Sequence, residues 1–286
     1  MPRIQFTWVI AAALWCASIP TIAEPTITGD VIYGHKAGMA LTFDVVQPEN
    51  ANGAGLLYMV SRGWVSNYFP LAKAVTDSER QRGRFHTLLS RGYTLFMVRH
   101  GSAPQFTVPE AVSDVRRAAR YIRLHADDWD IDPNRLGAFG NSAGGQLALM
   151  LALAGDAGDP AAEDPVDQAG IAIAAAGSYY APVDLRPVVG REDLSPALAF
   201  DATLAESVSP IAHVSSDDPP ILLIHGDEDR SVPIDESEKM HAALQRAGVT
   251  TTFIVMEGAG HAFPGRYGRE AAAALADWFD AHLIAE

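Results

Sequence analysis

Cysteine is nearly absent from the 286 residues: the single one, Cys16, lies within the first 23 positions. From Glu24 onward the chain therefore offers no thiol nucleophile, no disulfide and no cysteine-bound metal. Basic charge is also scarce, with 21 Lys and Arg against 35 Asp and Glu and a net charge of −14. Phosphate backbones and anionic membrane surfaces repel such a chain, which argues against a nucleic-acid partner and mainly promotes solubility. Internal repeats and low-complexity segments are missing too. The one pronounced apolar stretch near the start, Phe6 to Ala17, falls short of the roughly 20 residues that a bilayer span requires.

That stretch has the make-up of an export signal. Arg3 supplies a positive start, and Thr21-Ile22-Ala23 presents small residues for cleavage before Glu24. Bulky Trp15 ahead of Cys16 suits a lipid-attachment site poorly. Residues 1–23 are thus expected to be a signal peptide, with action in the periplasm or outside the cell and no stable membrane insertion after cleavage. Residues 24–286 are expected to form one catalytic domain, a length that supports a single large core.

Thr26 to Tyr33 and Met39 to Val46 read as an antiparallel opening pair. Further strands are expected near Leu56 and over Tyr93 to Val98, Arg135 to Phe139, Ile171 to Ala176, Ile221 to Ile224 and Thr251 to Met256. Helical patterns intervene, clearest over Val108 to His125. There Val112, Val115, Ala119 and Ile122 recur at helical spacing, Pro109 suits the first turn, and Glu110, Asp114 and the neighbouring arginines are expected to form solvated pairs. Strands alternating with helices predict an α/β fold with a mostly parallel, doubly wound sheet.

Gly140-Asn141-Ser142-Ala143-Gly144 follows a short apolar run and opens a helical stretch, the pattern of a serine raised on a sharp strand-to-helix turn. The glycines let the turn adopt a strained conformation and keep side chains off the neighbouring strand and helix. A serine hydroxyl is a weak nucleophile and needs an imidazole to take its proton and a carboxylate to hold that imidazole. Two later segments carry these groups. Pro220 to Ile224 is a buried-strand run ending in His225-Gly226-Asp227-Glu228-Asp229, and Thr251 to Met256 leads into Gly258-Ala259-Gly260-His261.

The pentapeptide at 140–144, the stretch PPILLIHGDEDRSVP at 219–233 and Gly258-Ala259-Gly260-His261 together resemble the α/β-hydrolase superfamily. The likeness is to its secreted esterases and lipases, of acetyl-xylan or feruloyl esterase type, which are related to the prolyl oligopeptidase catalytic domain. It covers almost all of 24–286. It implies an α/β-hydrolase fold, with an eight-stranded, mostly parallel, doubly wound sheet flanked by helices. By motif, Ser142 resembles the nucleophile, Asp229 the acid and His261 the base. Asp229 is preferred to Asp227 and Glu228 because it lies three residues after Gly226 and four before Pro233. His225 and His100 are expected to serve local hydrogen bonds.

The resemblance also implies an oxyanion hole from Arg62, Gly63 and Ala143, although Val60-Ser61-Arg62-Gly63-Trp64 stands where the family commonly reads His-Gly-Gly-Gly and an aromatic residue. The Arg62 guanidinium would either point to solvent or hold a carboxylate on the substrate. Trp64, Tyr68, Phe69, Tyr179, Tyr180 and Phe263 fall near the expected mouth, with Trp64 and Tyr179 foremost as substrate-binding faces. The Pro-, Asp- and Ser-rich stretch from Tyr179 to Pro210 would be a lid or a surface connection. The resulting expectation is a serine esterase acting on small-molecule or carbohydrate esters, with no cofactor and no metal. An exported peptidase and an inactive binding protein of the same fold are the alternatives, and neither oligomeric state nor acyl length is legible.

Overall fold

The computed structural model describes residues 24–67 and 83–284. The expected signal peptide at 1–23, Tyr68 and Phe69 lie outside the described residues.

Eight strands form one sheet in the order β1-β2-β4-β3-β5-β6-β7-β8. They are β1 (Thr26–Lys36), β2 (Met39–Gln47), β3 (Gly55–Met59), β4 (Thr94–Val98), β5 (Leu136–Asn141), β6 (Ala175–Tyr179), β7 (Ile221–Gly226) and β8 (Thr251–Met256). β1 with β2 and β2 with β4 are antiparallel, and every pair from β4 to β8 is parallel. The central strands β4 and β7 are buried at every position, as continuous apolar runs covered on both faces must be.

Helices α1 (Arg84–Ser90), α2 (Val108–Leu124), α3 (Ala143–Leu153), α4 (Pro165–Gln168), α5 (Asp235–Ala247) and α6 (Arg266–Phe279) cover the sheet. One core layer gathers Val112, Val115 and Ile122 of α2, Leu147 and Met150 of α3 and Met240 and Leu244 of α5. The other gathers Leu88 of α1 with Leu275 and Phe279 of α6. After β3 the chain steps to β4 on one side, then returns past β3 to β5 on the other. That reversal opens a crevice at the carboxyl ends of β3 and β5, the place where open α/β sheets accommodate ligands.

Two local expectations are corrected. The strand expected over Ile171 to Ala176 begins only at Ala175, because its ladder with β5 starts at the Gly137 and Ala175 pair. Ile171 and Ile173 are buried in irregular backbone instead, with the Ile171 N–H bonded to Asp156 O at 2.8 Å. The helix over 108–124 does not carry its charges as solvated pairs. Asp114 is buried and accepts from Lys36 Nζ at 2.8 Å and from the Gly101 N–H at 2.9 Å. Arg116 and Arg120 reach Asp156, and Arg117 reaches Asp164 and Asp167. Helix periodicity places these side chains on a face but says nothing of acids some 40 residues downstream. Glu110 closes a capping box with Thr107.

Candidate active site

Ser142 sits between β5 and α3 with φ 55° and ψ −126°, outside the conformations open to most non-glycine residues. The strain persists because the turn is held from both sides. A Cβ on Gly140 would lie 2.3 Å from the Gly144 carbonyl, and one on Gly144 would lie 2.6 Å from Met59 O of β3. The Ser142 N–H donates to Tyr179 O at the end of β6, at 2.9 Å. Three of the positive-φ residues other than glycine surround this crevice: Trp64, Ser142 and Tyr180.

His261 comes from the loop after β8 and Asp229 from the loop after β7. The two loops are tied together, with the Glu228 N–H bonded to Ala259 O at 3.0 Å and the Gly258 N–H bonded to Asp227 Oδ1 at 2.6 Å. Asp227 therefore stitches loops, whereas Asp229 turns inward, its side chain fully buried. Asp229 Oδ1 accepts from the N–H groups of Ser231 and Val232, at 2.8 and 3.0 Å. Its Oδ2 lies 2.7 Å from His261 Nδ1. Such a contact assigns the imidazole proton to Nδ1 and leaves the Nε2 lone pair aimed at Ser142 Oγ, 2.9 Å away. The three segments thus converge in one continuous serine, imidazole and carboxylate array. The His261 side chain remains 26 % exposed, open to a reactant.

His225 approaches the same carboxylate, its Nε2 3.3 Å from Asp229 Oδ2, yet it is sealed. Nε2 donates to Val232 O at 3.0 Å, and Nδ1 accepts from the Ser237 hydroxyl at 2.8 Å. Burial pushes its pKa down, so it stays neutral and anchors the Asp229 loop to α5. His100 is likewise buried with its pKa lowered by desolvation. Its Nδ1 donates to Gly101 O at 2.8 Å and its Nε2 meets Ser61 Oγ at 2.9 Å.

The expected oxyanion donors divide. The Arg62 N–H is already bonded to Val65 O at 3.0 Å, and Val65 returns the bond at the same length, so Arg62 leaves the donor set. Its side chain is exposed and makes no hydrogen bond or ion pair among the described residues. That tight turn places Gly63 and Trp64 at φ 56° and 58°. The N–H groups of Gly63 and of Ala143, the first residue of α3, have no hydrogen-bond partner among the described residues. Both stand available for developing negative charge, Ala143 directly after Ser142 and Gly63 on the loop packed against Gly144.

Trp64 and Tyr179 are corrected as substrate-binding faces. The Trp64 side chain is buried in the core and donates its Nε1–H to Gln146 Oε1 at 2.9 Å. The Tyr179 ring is buried and its hydroxyl donates to Ala271 O at 3.0 Å. Closeness to a motif in sequence does not put an aromatic ring at its mouth: both rings carry enough apolar area to be drawn into the core, their polar ends satisfied there. Tyr180 and Phe263 pack beside the array: the Tyr180 ring, itself buried, lies 4.7 Å from that of His261 and 4.9 Å from that of Phe263.

The stretch after Tyr180 is neither extended nor loose. It runs through short 3₁₀ turns that bury Val183, Leu185, Leu198 and Val208. Ser195 Oγ donates to Gly63 O at 2.9 Å, and Gln146 Nε2 donates to Val208 O at 2.8 Å. The loop at Arg62 to Val65, α3 and this stretch therefore share hydrogen bonds that no local motif announces. Sequence reading also passed over Asn141, although it belongs to the pentapeptide. Its Oδ1 accepts from the Tyr58 hydroxyl at 3.0 Å and from the Arg84 guanidinium at 2.8 Å.

Among the described residues, no group of three or more His, Cys, Asp or Glu side chains is arranged to hold a metal ion, and no helix is long and apolar enough to cross a membrane.

Known proteins place the chain in context. It is 32% identical over 198 residues to esterase LipQ of Mycobacterium tuberculosis, an overlap of 64% of this chain and 47% of that protein. The chain spans about half the length of the curated relatives it matches. Among solved structures, a carbohydrate esterase from gut microbiota superposes with a TM-score of 0.75 at 24% identity, covering 92% of this chain and 98% of that one. An acetyl ester-xyloside bifunctional hydrolase from Caldicellulosiruptor lactoaceticus gives 0.73 at 21% identity, covering 92% and 98%. These superpositions establish the α/β-hydrolase fold. Residues 44–244 match the BD-FAE family, and the chain is a member of it.

Proposed function

We propose that the protein is a serine carboxylic-ester hydrolase in which Ser142, His261 and Asp229 form the catalytic triad. The observation that carries this reading is the pair of contacts on one imidazole, 2.9 Å to Ser142 Oγ and 2.7 Å to Asp229 Oδ2. His261 Nε2 takes the hydroxyl proton as Oγ attacks the ester carbonyl, and Asp229 supports the imidazolium that results. The tetrahedral oxyanion is met by the N–H groups of Gly63 and Ala143. The imidazolium returns its proton to the departing alcohol, leaving an acyl group on Oγ. Water, deprotonated by the same Nε2, then attacks the acyl-enzyme, and the collapse of the second intermediate frees the carboxylic acid and restores the Ser142 hydroxyl.

Relatives named esterase and acetyl esterase support an ester as the substrate, and short-chain or carbohydrate-linked acyl groups are the class we assign. Export to the periplasm or beyond, with cleavage before Glu24, belongs to the same reading. Acetyl, butyryl, long-chain and feruloyl esters, acetylated xylan and peptide amides, tested beside Ser142→Ala, check the substrate class. We expect turnover of the short or sugar-linked esters and its loss in the variant. Turnover of the amides with none of the esters would instead establish a peptidase.

A further inference from the structure

We infer that Arg84 forms a subsite for a carboxylate carried by the substrate, beside the nucleophile. The inference rests on the ester-hydrolase reading and specifies which esters the site prefers.

Several arginines of this acidic chain meet carboxylates, while Arg123 and Arg135 donate to backbone carbonyls. Arg99 is gripped by Asp44 and Asp30, Arg120 by Asp156, Arg117 by Asp164 and Asp167, and Arg91 by Asp277 and Asp280. Arg84 differs. Its one hydrogen bond among the described residues runs from Nη1 to Asn141 Oδ1, a neutral amide oxygen already shared with the Tyr58 hydroxyl. No carboxylate of the described residues pairs with it. Its guanidinium instead lies 5.6 Å from the ring centroids of Tyr58 and Phe85 and 5.4 Å from that of Tyr179. Aromatic faces attract a cation but do not neutralise it, so the half-buried Arg84 guanidinium keeps its charge for a ligand. A guanidinium carries five N–H donors in a planar fork, most of them unpaired among the described residues, and the fork matches a carboxylate in two parallel bonds.

The position is what ties this charge to the chemistry. Asn141 immediately precedes Ser142 in the chain, and Tyr180, which also faces the Arg84 guanidinium, packs on the His261 ring. The cation therefore lies within reach of a substrate whose carbonyl is at Ser142, on the flank occupied by His261. The carboxylate it receives can belong to the acyl half of the ester, as in a dicarboxylic hemiester, or to the alcohol half, as in an acidic sugar or phenol. Arg62, also near the crevice, is exposed and has no such packed surround among the described residues.

Matched substrates separate the two sources. In the acyl arm, 4-nitrophenyl hydrogen glutarate is compared with 4-nitrophenyl pentanoate; in the alcohol arm, 4-acetoxybenzoate is compared with methyl 4-acetoxybenzoate. For Arg84→Met we expect the anionic-to-neutral ratio of kcat/KM to drop at least tenfold in one arm. Arg84→Lys, which keeps the charge without the fork, should recover part of that ratio. Equal losses on both members of both pairs would overturn the subsite. Binding gives a readout that needs no turnover: glutarate or 4-hydroxybenzoate should raise the melting temperature of Ser142→Ala saturably, and not that of Ser142→Ala/Arg84→Met. A wild-type protein that cleaves none of the esters would sink the hydrolase reading, whereas absence of the thermal shift with either ligand would sink the subsite alone.

Discussion

Two serine and histidine pairs lie along the carboxyl edge of the sheet with the same 2.9 Å between Nε2 and Oγ: Ser142 with His261, and Ser61 with His100. Distance alone therefore does not make a nucleophile. What separates the pairs is the other ring nitrogen and the backbone under the serine. His261 Nδ1 meets the buried carboxylate of Asp229, so a proton gained at Nε2 finds a compensating charge, whereas His100 Nδ1 meets the neutral carbonyl of Gly101. Ser142 stands on a strained turn directly before the Ala143 N–H, which has no partner among the described residues, and Ser61 does not. In the proposed mechanism the first pair acquires charge, while the second ties the segment after β3 to the one after β4.

The sharpest way to break this comparison is to remove each hydroxyl. Ser142→Ala should lower kcat by roughly 10³-fold or more, while Ser61→Ala should cost less than about tenfold, measured on one acetyl ester. Similar losses would mean that the pairs are not distinct. Asp229→Asn preserves shape but permits the wrong imidazole tautomer, and its expected loss in kcat is again on the order of 10³ to 10⁴. A loss below tenfold would remove the carboxylate as the distinguishing feature.

Smaller effects probe the scaffold that keeps the pairs apart. Gln146 is fully buried and joins Trp64 Nε1 to Val208 O. Gln146→Leu should lower unfolding stability by about 1–3 kcal/mol in a urea titration, because it strands a buried donor and a buried acceptor. The smallest effect is a pH slope. His225 and His100 both have pKa values pushed down by burial, so below an unfolded value of about 6.5 the unfolded chain binds more protons than the native one. Their contribution is complete above that pH and declines as pH falls further. Melting temperatures measured from pH 7.5 to 5 should fall, and His225→Asn should flatten the slope.

Much of this was legible in the sequence because the relevant signals are local. The chain of Gly140, Ser142 and Gly144 encodes its own turn, apolar runs such as Ile221 to Ile224 encode strands covered on both faces, and Val108 to Leu124 encodes a helix through periodicity and Pro109. The candidate site residues Ser142, Asp229 and His261 lie just past the ends of β5, β7 and β8. What escaped depends on contacts between distant segments. No spacing rule announces that Arg62 closes a turn with Val65, that Trp64 and Tyr179 tuck into the core, or that Arg84 reaches Asn141. Asp114 looked solvated for the same reason, since Lys36 and Gly101 approach it from other parts of the chain.

The proposed mechanism depends above all on activation of Ser142 by His261. Labelling the intact protein with a fluorophosphonate and mapping the adduct by mass spectrometry tests it most directly. We expect one adduct, on Ser142, formed rapidly in the wild type and hardly at all in His261→Ala. An adduct on another serine, Ser61 included, or labelling of Ser142 that proceeds undiminished in His261→Ala, would contradict it.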